Sequence, residues 1–345
     1  MKKAKTLILG LVIASLAIFF TLRNISMDDF MEAFNGAHYL YLIPSTLLSA
    51  GIFISRALRW KILLSSIQKI KARELLSSIM IGQMGNMLPL RAGEPLRAYL
   101  LKKKKKISFG ISLATIMVER MFDIFMLLTL ISVMLVFYTE IFNSNTLWLG
   151  NSLEDIFFSF GILTLCILSG LIILIYLLVF QKVKLAPLLN YPLKFFPETL
   201  KKKIQSVIGS FLLGLNSVRN PVDLIQAGLY SIVEWAFAIA AYYPLCLAFD
   251  VQTKSIEGLL LLAIIIPIFM TVFPTPGFLG SIQAAIFVAL HKILGESAAV
   301  AAAFGMVAWG WGFLTQILAG IYFIFHDHLS VKQIIKLEED EDKLL

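Results

Sequence analysis

The sequence predicts an all-α polytopic membrane protein, on three observations. Apolar residues make up 59% of its 345 positions, the mean hydropathy is +0.84, and basic segments separate apolar runs of spanning length. Only 15% of residues are charged, against about 25% in soluble domains. The net charge of +8 does not point to nucleic acid, because the cations stand between apolar runs, where they suit anionic headgroups and fix topology. Cys166 and Cys246 both lie in apolar runs, so neither a disulfide framework nor a metal site is implied. The basic N-terminus, Met1 to Lys5, leads into an apolar stretch without a small-x-small cleavage site, as a retained first helix does.

A spanning helix needs about 20 apolar residues at 1.5 Å each. Thr6–Leu22, Tyr39–Ser55, Ile107–Tyr138, Ile156–Phe180, Leu224–Phe249 and Ala298–Phe325 meet that length, giving about six full spans. Leu75–Leu88 and Gly258–Phe273 differ. Each ends in a Pro/Gly break followed by a second short arm, near Glu94–Leu101 and Gly280–Leu290. Arms this short predict two re-entrant or broken-helix hairpins. Lys201–Val218 reads as an interfacial helix, and residues 331–345 as a charged tail outside a single membrane domain, 1–330.

Basic residues set the expected orientation. Of 30 Lys and Arg, only Arg23, Lys254 and Lys292 fall in segments assigned to the outside, which places both termini in the cytoplasm of a cell membrane. The first hairpin, between Lys69–Arg73 and Lys102–Lys106, then enters from the cytoplasm, and the second enters from outside. Residues 89–98 and 276–285 share a Pro-x3-Gly-x4-Ala frame, and a long helix follows each. The pattern predicts an inverted repeat, about 39–138 and 224–325.

Three groups are candidates for a polar intramembrane site. Around the first break stand Asn86, Arg91, Glu94 and Arg97. A half-helix beginning at Glu94 aims its positive end inward beside two fixed cations, which suits a phosphate; ordinary positive-inside arginines are the alternative. Glu119, Arg120 and Asp123 lie near mid-membrane, where each charge costs roughly 2.5–3.5 kcal/mol. They must turn inward, either as a working site or as a static salt bridge. The second break, Phe273 to Gln283, offers Pro276, Gly277, Gly280, Ser281 and Gln283, with a simple kinked helix as the alternative. Glu234 should also face the interior, while Arg56, Arg59 and Trp60 read as an interfacial anchor. Trp309 and Trp311 among glycines mark close helix packing.

Arg59-Trp60, the run Asn86–Glu94 with Arg97, Glu119-Arg120 with Asp123, and Pro274–Ser281 occur together in this order. In that combination the chain resembles the flippase-like family, the lysylphosphatidylglycerol synthase transmembrane region, over about residues 6–330. The resemblance implies a stand-alone member without the aminoacyl-transferase domain. It also implies a polar cavity of Arg91, Glu94, Arg97, Glu119, Arg120 and Asp123, with Pro276, Gly277 and Gly280 opposite.

The expected function is translocation of an anionic phospholipid or lipid-linked headgroup between leaflets, without a catalytic residue, cofactor or metal. No Walker A pattern is present. Two other classes stay open: a membrane-embedded transferase acting on lipid-linked substrates, and a scaffold for a lipid-modifying enzyme. A homo-oligomer is also open.

Overall fold

A computed structural model describes residues 2–23, 25–88, 93–138, 220–252 and 254–329, with short stretches between 147 and 198. Helices α1 (Lys2–Leu22) and α2 (Met27–Asn35) come first, and α3 (Leu42–Leu63) follows a 3-10 turn at Tyr39–Tyr41. Then come α4 (Ala72–Met87), α5 (Gly93–Lys105) and α6 (Phe109–Phe137). The later helices are α7 (Pro221–Ala248), α8 (Ile256–Val272), α9 (Ser281–Phe287) and α10 (Ala298–His326). A two-residue antiparallel pairing joins Leu147–Trp148 to Asn151–Ser152.

Five stretches have the length and apolarity to cross a membrane: Tyr39–Leu63, Phe109–Phe137, Val222–Ala248, Pro276–Ile293 and Ala298–His326. A sixth arises if Gly10–Leu22 and Met27–Asn35, which meet at 92°, count as one. The protein is therefore an all-α, multi-pass membrane protein. Two expectations need correction. The second span runs on to Leu63 instead of closing near Ser55, and the outgoing arm of the second break reaches spanning length because a π-helical turn, Val288–Ile293, extends α9. The expected span at Ile156–Phe180 is described only in short helical pieces. Pro89, Arg91, Lys201–Val218 and the tail 331–345 lie outside the described residues.

Local chemistry explains the helix ends. Ser26 caps α2 by accepting from the Asp29 amide at 3.1 Å, and Asp28 and Asp29 favour the first turn of the dipole. Ser108 caps α6, while Asn220 caps α7 with Pro221 at the first helical position. α4 stops at Leu88, which turns extended before Pro89 as a residue preceding proline must. α5 matches its dipole at both ends, with Glu94 in the first turn and Lys102 to Lys105 in the last.

Packing brings the halves together. α3 lies along α7, α4 packs on α10, and α6 packs on α8. Within each half, α4 pairs with α5 and α5 with α6; α8 pairs with α9 and α9 with α10. The largest buried cluster joins α8, α9 and α10 to the far ends of α6 and α7, through Leu262, Ala285, Phe304 and Met134. A second cluster, around Trp60, Leu75, Ala98 and Ile116, unites α3 to α6.

At the basic end, Asp327 accepts from Ser77, Lys104 and His326, tying α10 to α4 and α5. Arg73 meets the other His326 ring nitrogen at 3.0 Å. Burial raises the Asp327 carboxyl, but the Lys104, Ser77 and His326 hydrogen bonds outweigh that and hold it down at about 2.

Candidate functional site

Charges gather where α3, α5, α6 and α7 meet. Arg59 is fully buried; its Nη1 lies 2.8 Å from Asp123 and donates to Ser231 at 2.9 Å, and its Nη2 lies 3.2 Å from Glu234. Arg56 reaches the same Glu234 through Nη2 at 2.7 Å and Nε at 3.0 Å. Asp123 in turn holds Arg120 at 3.0 Å, and Arg120 faces Glu94 at 3.8 Å. One connected path thus runs Arg56, Glu234, Arg59, Asp123, Arg120, Glu94. Beside it, Arg97 pairs with the fully buried Glu119 at 3.0 Å and lies 4.3 Å over the Trp60 ring. Trp60 is fixed by donating to Thr115 at 3.0 Å.

Among the described residues, four arginines balance four carboxylates, which is how so many charges tolerate an apolar surround. Pairing is incomplete. Arg97 Nε and Glu119 Oε1 are buried without a hydrogen-bond partner among the described residues, and so is Arg120 Nε. Such atoms call for water or a polar ligand group.

The first break sits beside this network. Gly82 and Gly93 let α4 and α5 touch: a Cβ on Gly93 would lie 2.2 Å from the Gly82 carbonyl oxygen. A Cβ on Gly82 would lie 2.3 Å from Arg97 Cγ, so that glycine opens the passage through which Arg97 reaches Glu119. Asn86 accepts from the Gly93 amide at 3.0 Å, caps α5 and pins the break.

The second break is neutral and closed on itself. The Thr275 and Ser281 hydroxyls are 2.6 Å apart, and Ser281 donates to the Phe273 carbonyl at 2.5 Å. Gln283 accepts from the Gly280 amide at 2.7 Å, capping α9. Gly280 adopts φ +82°, and a Cβ there would lie 2.7 Å from the Ala14 carbonyl oxygen of α1. Pro276 packs against Gly10, and Gly277 comes close to the Met87 carbonyl at the end of α4, so the two breaks adjoin there.

Between the halves lies a cleft of about 240 Å³. Ser49 and Phe53 of α3, Tyr242 of α7, Ile282 of α9, and Trp309 and Phe313 of α10 are among its lining residues. Gln83 donates to Gln316 at 2.8 Å across it, joining α4 to α10. Phe53, another of its lining residues, has its ring centroid 5.8 Å from the Arg56 guanidinium.

The structure brings Glu94, Arg97, Glu119, Arg120 and Asp123 into one region, with Asn86 at its edge. Pro276, Gly277, Gly280, Ser281 and Gln283 stand apart from it, and their hydrogen bonds stay within the break or reach α10, where Trp309 donates to the Gly277 carbonyl. Reading Arg56, Arg59 and Trp60 as an interfacial anchor is corrected: Arg59 and Trp60 are fully buried, and Arg56 and Arg59 pair with Glu234. Their position at the basic end of an apolar run concealed this. Only the isolated Glu234 in α7 signalled that an inward cation was needed. Gln83 and Gln316 carried no such signal, since single amides in apolar helices are unremarkable in a sequence.

Two relatives share limited stretches with the chain. A membrane protein of the UPF0104 group from Methanothermobacter thermautotrophicus is 28% identical over 142 residues, 40% of each chain. A protein from Haloferax volcanii named glycosyltransferase AglD is 28% identical over 133 residues, 38% of this chain and 21% of that one. The chain thus spans well under two thirds of either relative. No solved structure matches it. The family model described as the lysylphosphatidylglycerol synthase TM region matches residues 7–320, nearly the whole fold including both breaks and the buried charges. The chain belongs to that family.

Proposed function

We propose that the chain is a lipid translocase of the cell membrane, moving an anionic phospholipid or lipid-linked headgroup between leaflets. The observation that carries this reading is the buried network linking Arg56, Glu234, Arg59, Asp123 and Arg120, with Arg97–Glu119 alongside, next to a broken helix and a cleft. Arg97 Nε and Glu119 Oε1, buried without a hydrogen-bond partner among the described residues, are atoms that a polar ligand group would satisfy. A phosphate arriving there replaces carboxylate partners of the arginines and keeps their charge compensated, which lowers the cost of its passage.

The movement would be rocking of two repeats, 39–138 and 224–325, of opposite membrane entry within one domain, 1–330. Reciprocal packing supports this: the first arm of each hairpin lies against the long helix of the other half, α4 on α10 and α8 on α6, and α3 lies along α7. Lysines clustered at one end support cytoplasmic termini and a cytoplasmic tail at 331–345. We assign Arg91 to the same site from its sequence position in the first break alone. Pro276, Gly277, Gly280, Ser281 and Gln283 form the fixed wall facing it.

Reconstitution in liposomes with a fluorescent anionic lipid tests this. Leaflet exchange should occur with the natural chain and vanish in Arg91→Ala and Glu119→Gln. A second reading, transfer chemistry on a lipid-linked substrate, draws on the printed name of the Haloferax relative. Product formation without exchange would favour it, and neither would favour a scaffold.

A further inference from the structure

The buried ion network explains how a phosphate is accommodated, but it leaves the chemistry of the central cleft unused. None of the described residues lining that cleft is charged. Its polar groups are neutral: the amide pair Gln83–Gln316, the Thr315 and Ser49 hydroxyls and the Tyr242 phenol. The amide pair uses one N–H of Gln83 and the carbonyl of Gln316. Among the described residues, that leaves the Gln83 carbonyl to accept and the Gln316 amino group to donate. Ser49 and Tyr242 donate no hydrogen bond among the described residues.

The aromatic lining has a complementary character. Trp309 gives its N–H to the Gly277 carbonyl at 2.9 Å, and Trp311 gives its own to Thr46 at 2.7 Å. With both N–H groups engaged, the indoles contribute ring surface, and Phe313 stacks on Trp309 at 5.5 Å. Flat apolar surface beside paired neutral donors and acceptors fits the C–H faces and hydroxyls of a sugar or polyol. Among the described lining residues an ammonium group would find no carboxylate, and a bare phosphate no cation.

Size points the same way. Ligand pockets for small molecules run from about 300 Å³ upward, so a cleft of about 240 Å³ holds one headgroup and not a lipid with its tails. An apolar groove of about 590 Å³, between Phe34, Tyr39, Leu42, Met306, Val307 and Gly310, shares Trp309 and Trp311 with the cleft.

We infer that the central cleft is a headgroup site for lipids whose headgroup is uncharged at its tip and rich in hydroxyls, a sugar or a polyol. This names the substrate class for the translocase reading and rests on it.

Binding of dioctanoyl lipids to the purified full chain in detergent tests the assignment. The lipids share tails and differ in headgroup: phosphatidylglycerol, a monoglucosyl glycerolipid, phosphatidate and phosphatidylcholine. At least one hydroxyl-rich lipid should bind about tenfold more tightly than phosphatidate and phosphatidylcholine, as one or two added hydrogen bonds imply. Preference for only one of the two tells a sugar from a polyol. The double variant Gln83→Leu, Gln316→Leu should lose the preference while keeping its unfolding temperature. Equal binding of all four lipids by the natural chain overturns the assignment, whether or not the variant folds, and so does a preference that survives in a folded variant. Leaflet exchange of the same lipids separates the two ideas. Exchange without headgroup preference sinks the cleft assignment alone, and preference without exchange sinks translocation alone.

Discussion

The two helix breaks share a frame of proline, glycine and alanine, yet their surroundings are opposite in kind. The first lies among charges: Glu94 opens α5, Arg97 reaches the buried Glu119, and Arg120 and Asp123 extend the path to Arg59. Around the second break every polar side chain named above bonds within the break or to the neighbouring α10, and α1 closes over Pro276 and Gly280. One scaffold with two such breaks divides the labour. In the proposed translocase the charged break would supply the groups that exchange partners, and the neutral one the surface opposite them.

The largest expected effect is at the charged break. Arg97→Ala leaves Glu119 without the ion pair it makes among the described residues, at a site with no exposure. Removing one member of a buried pair costs about 3–5 kcal/mol, so thermal unfolding in detergent should show a large drop. An unfolding temperature equal to that of the natural chain would mean that Glu119 is reached by water or another partner, and the contrast would weaken.

At the neutral break the effects should be smaller and purely structural. Gly280→Ala places a Cβ on a residue at φ +82° and 2.7 Å from the Ala14 carbonyl, at a cost of about 1–3 kcal/mol in unfolding free energy. Ser281→Ala removes two short hydrogen bonds and should cost about 1–2 kcal/mol. Lipid selectivity should be unchanged in both, and a change there would bring the second wall into the chemistry.

The smallest effect belongs to neither break. Asp327 titrates at about 2, below the ordinary carboxylate value of about 3.9. Its stabilisation is fully present above pH 4 and disappears as the pH falls through 2. Asp327→Asn should lower stability by no more than about 1 kcal/mol at neutral pH and flatten this acid dependence, as a melting series from pH 2 to 6 would reveal.

The division between the breaks was only half legible in the sequence. Glu119, Arg120 and Asp123 stood out because three charges in five residues are intolerable in lipid, so their inward placement followed from cost alone. The partners did not. Arg56 and Arg59 occupy the end of an apolar run where positive residues usually meet headgroups, and only the packing of α3 along α7 turns them toward Glu234. Asn86, Ser281 and Gln283 were recognisable as polar groups at breaks. Whether such groups cap a helix or face a cavity depends on backbone conformations a few residues away. The spanning length of the second outgoing arm was hidden for a similar reason, since the π-helical turn at Val288–Ile293 carries the helix past the region where apolar periodicity fades.

The most direct measurement compares the two breaks in one assay: leaflet exchange of a fluorescent anionic lipid in liposomes carrying Glu119→Gln or Ser281→Ala at matched, folded protein density. The account predicts that Glu119→Gln abolishes exchange while Ser281→Ala keeps the natural rate. Normal exchange in Glu119→Gln, or its loss in a folded Ser281→Ala protein, would contradict it.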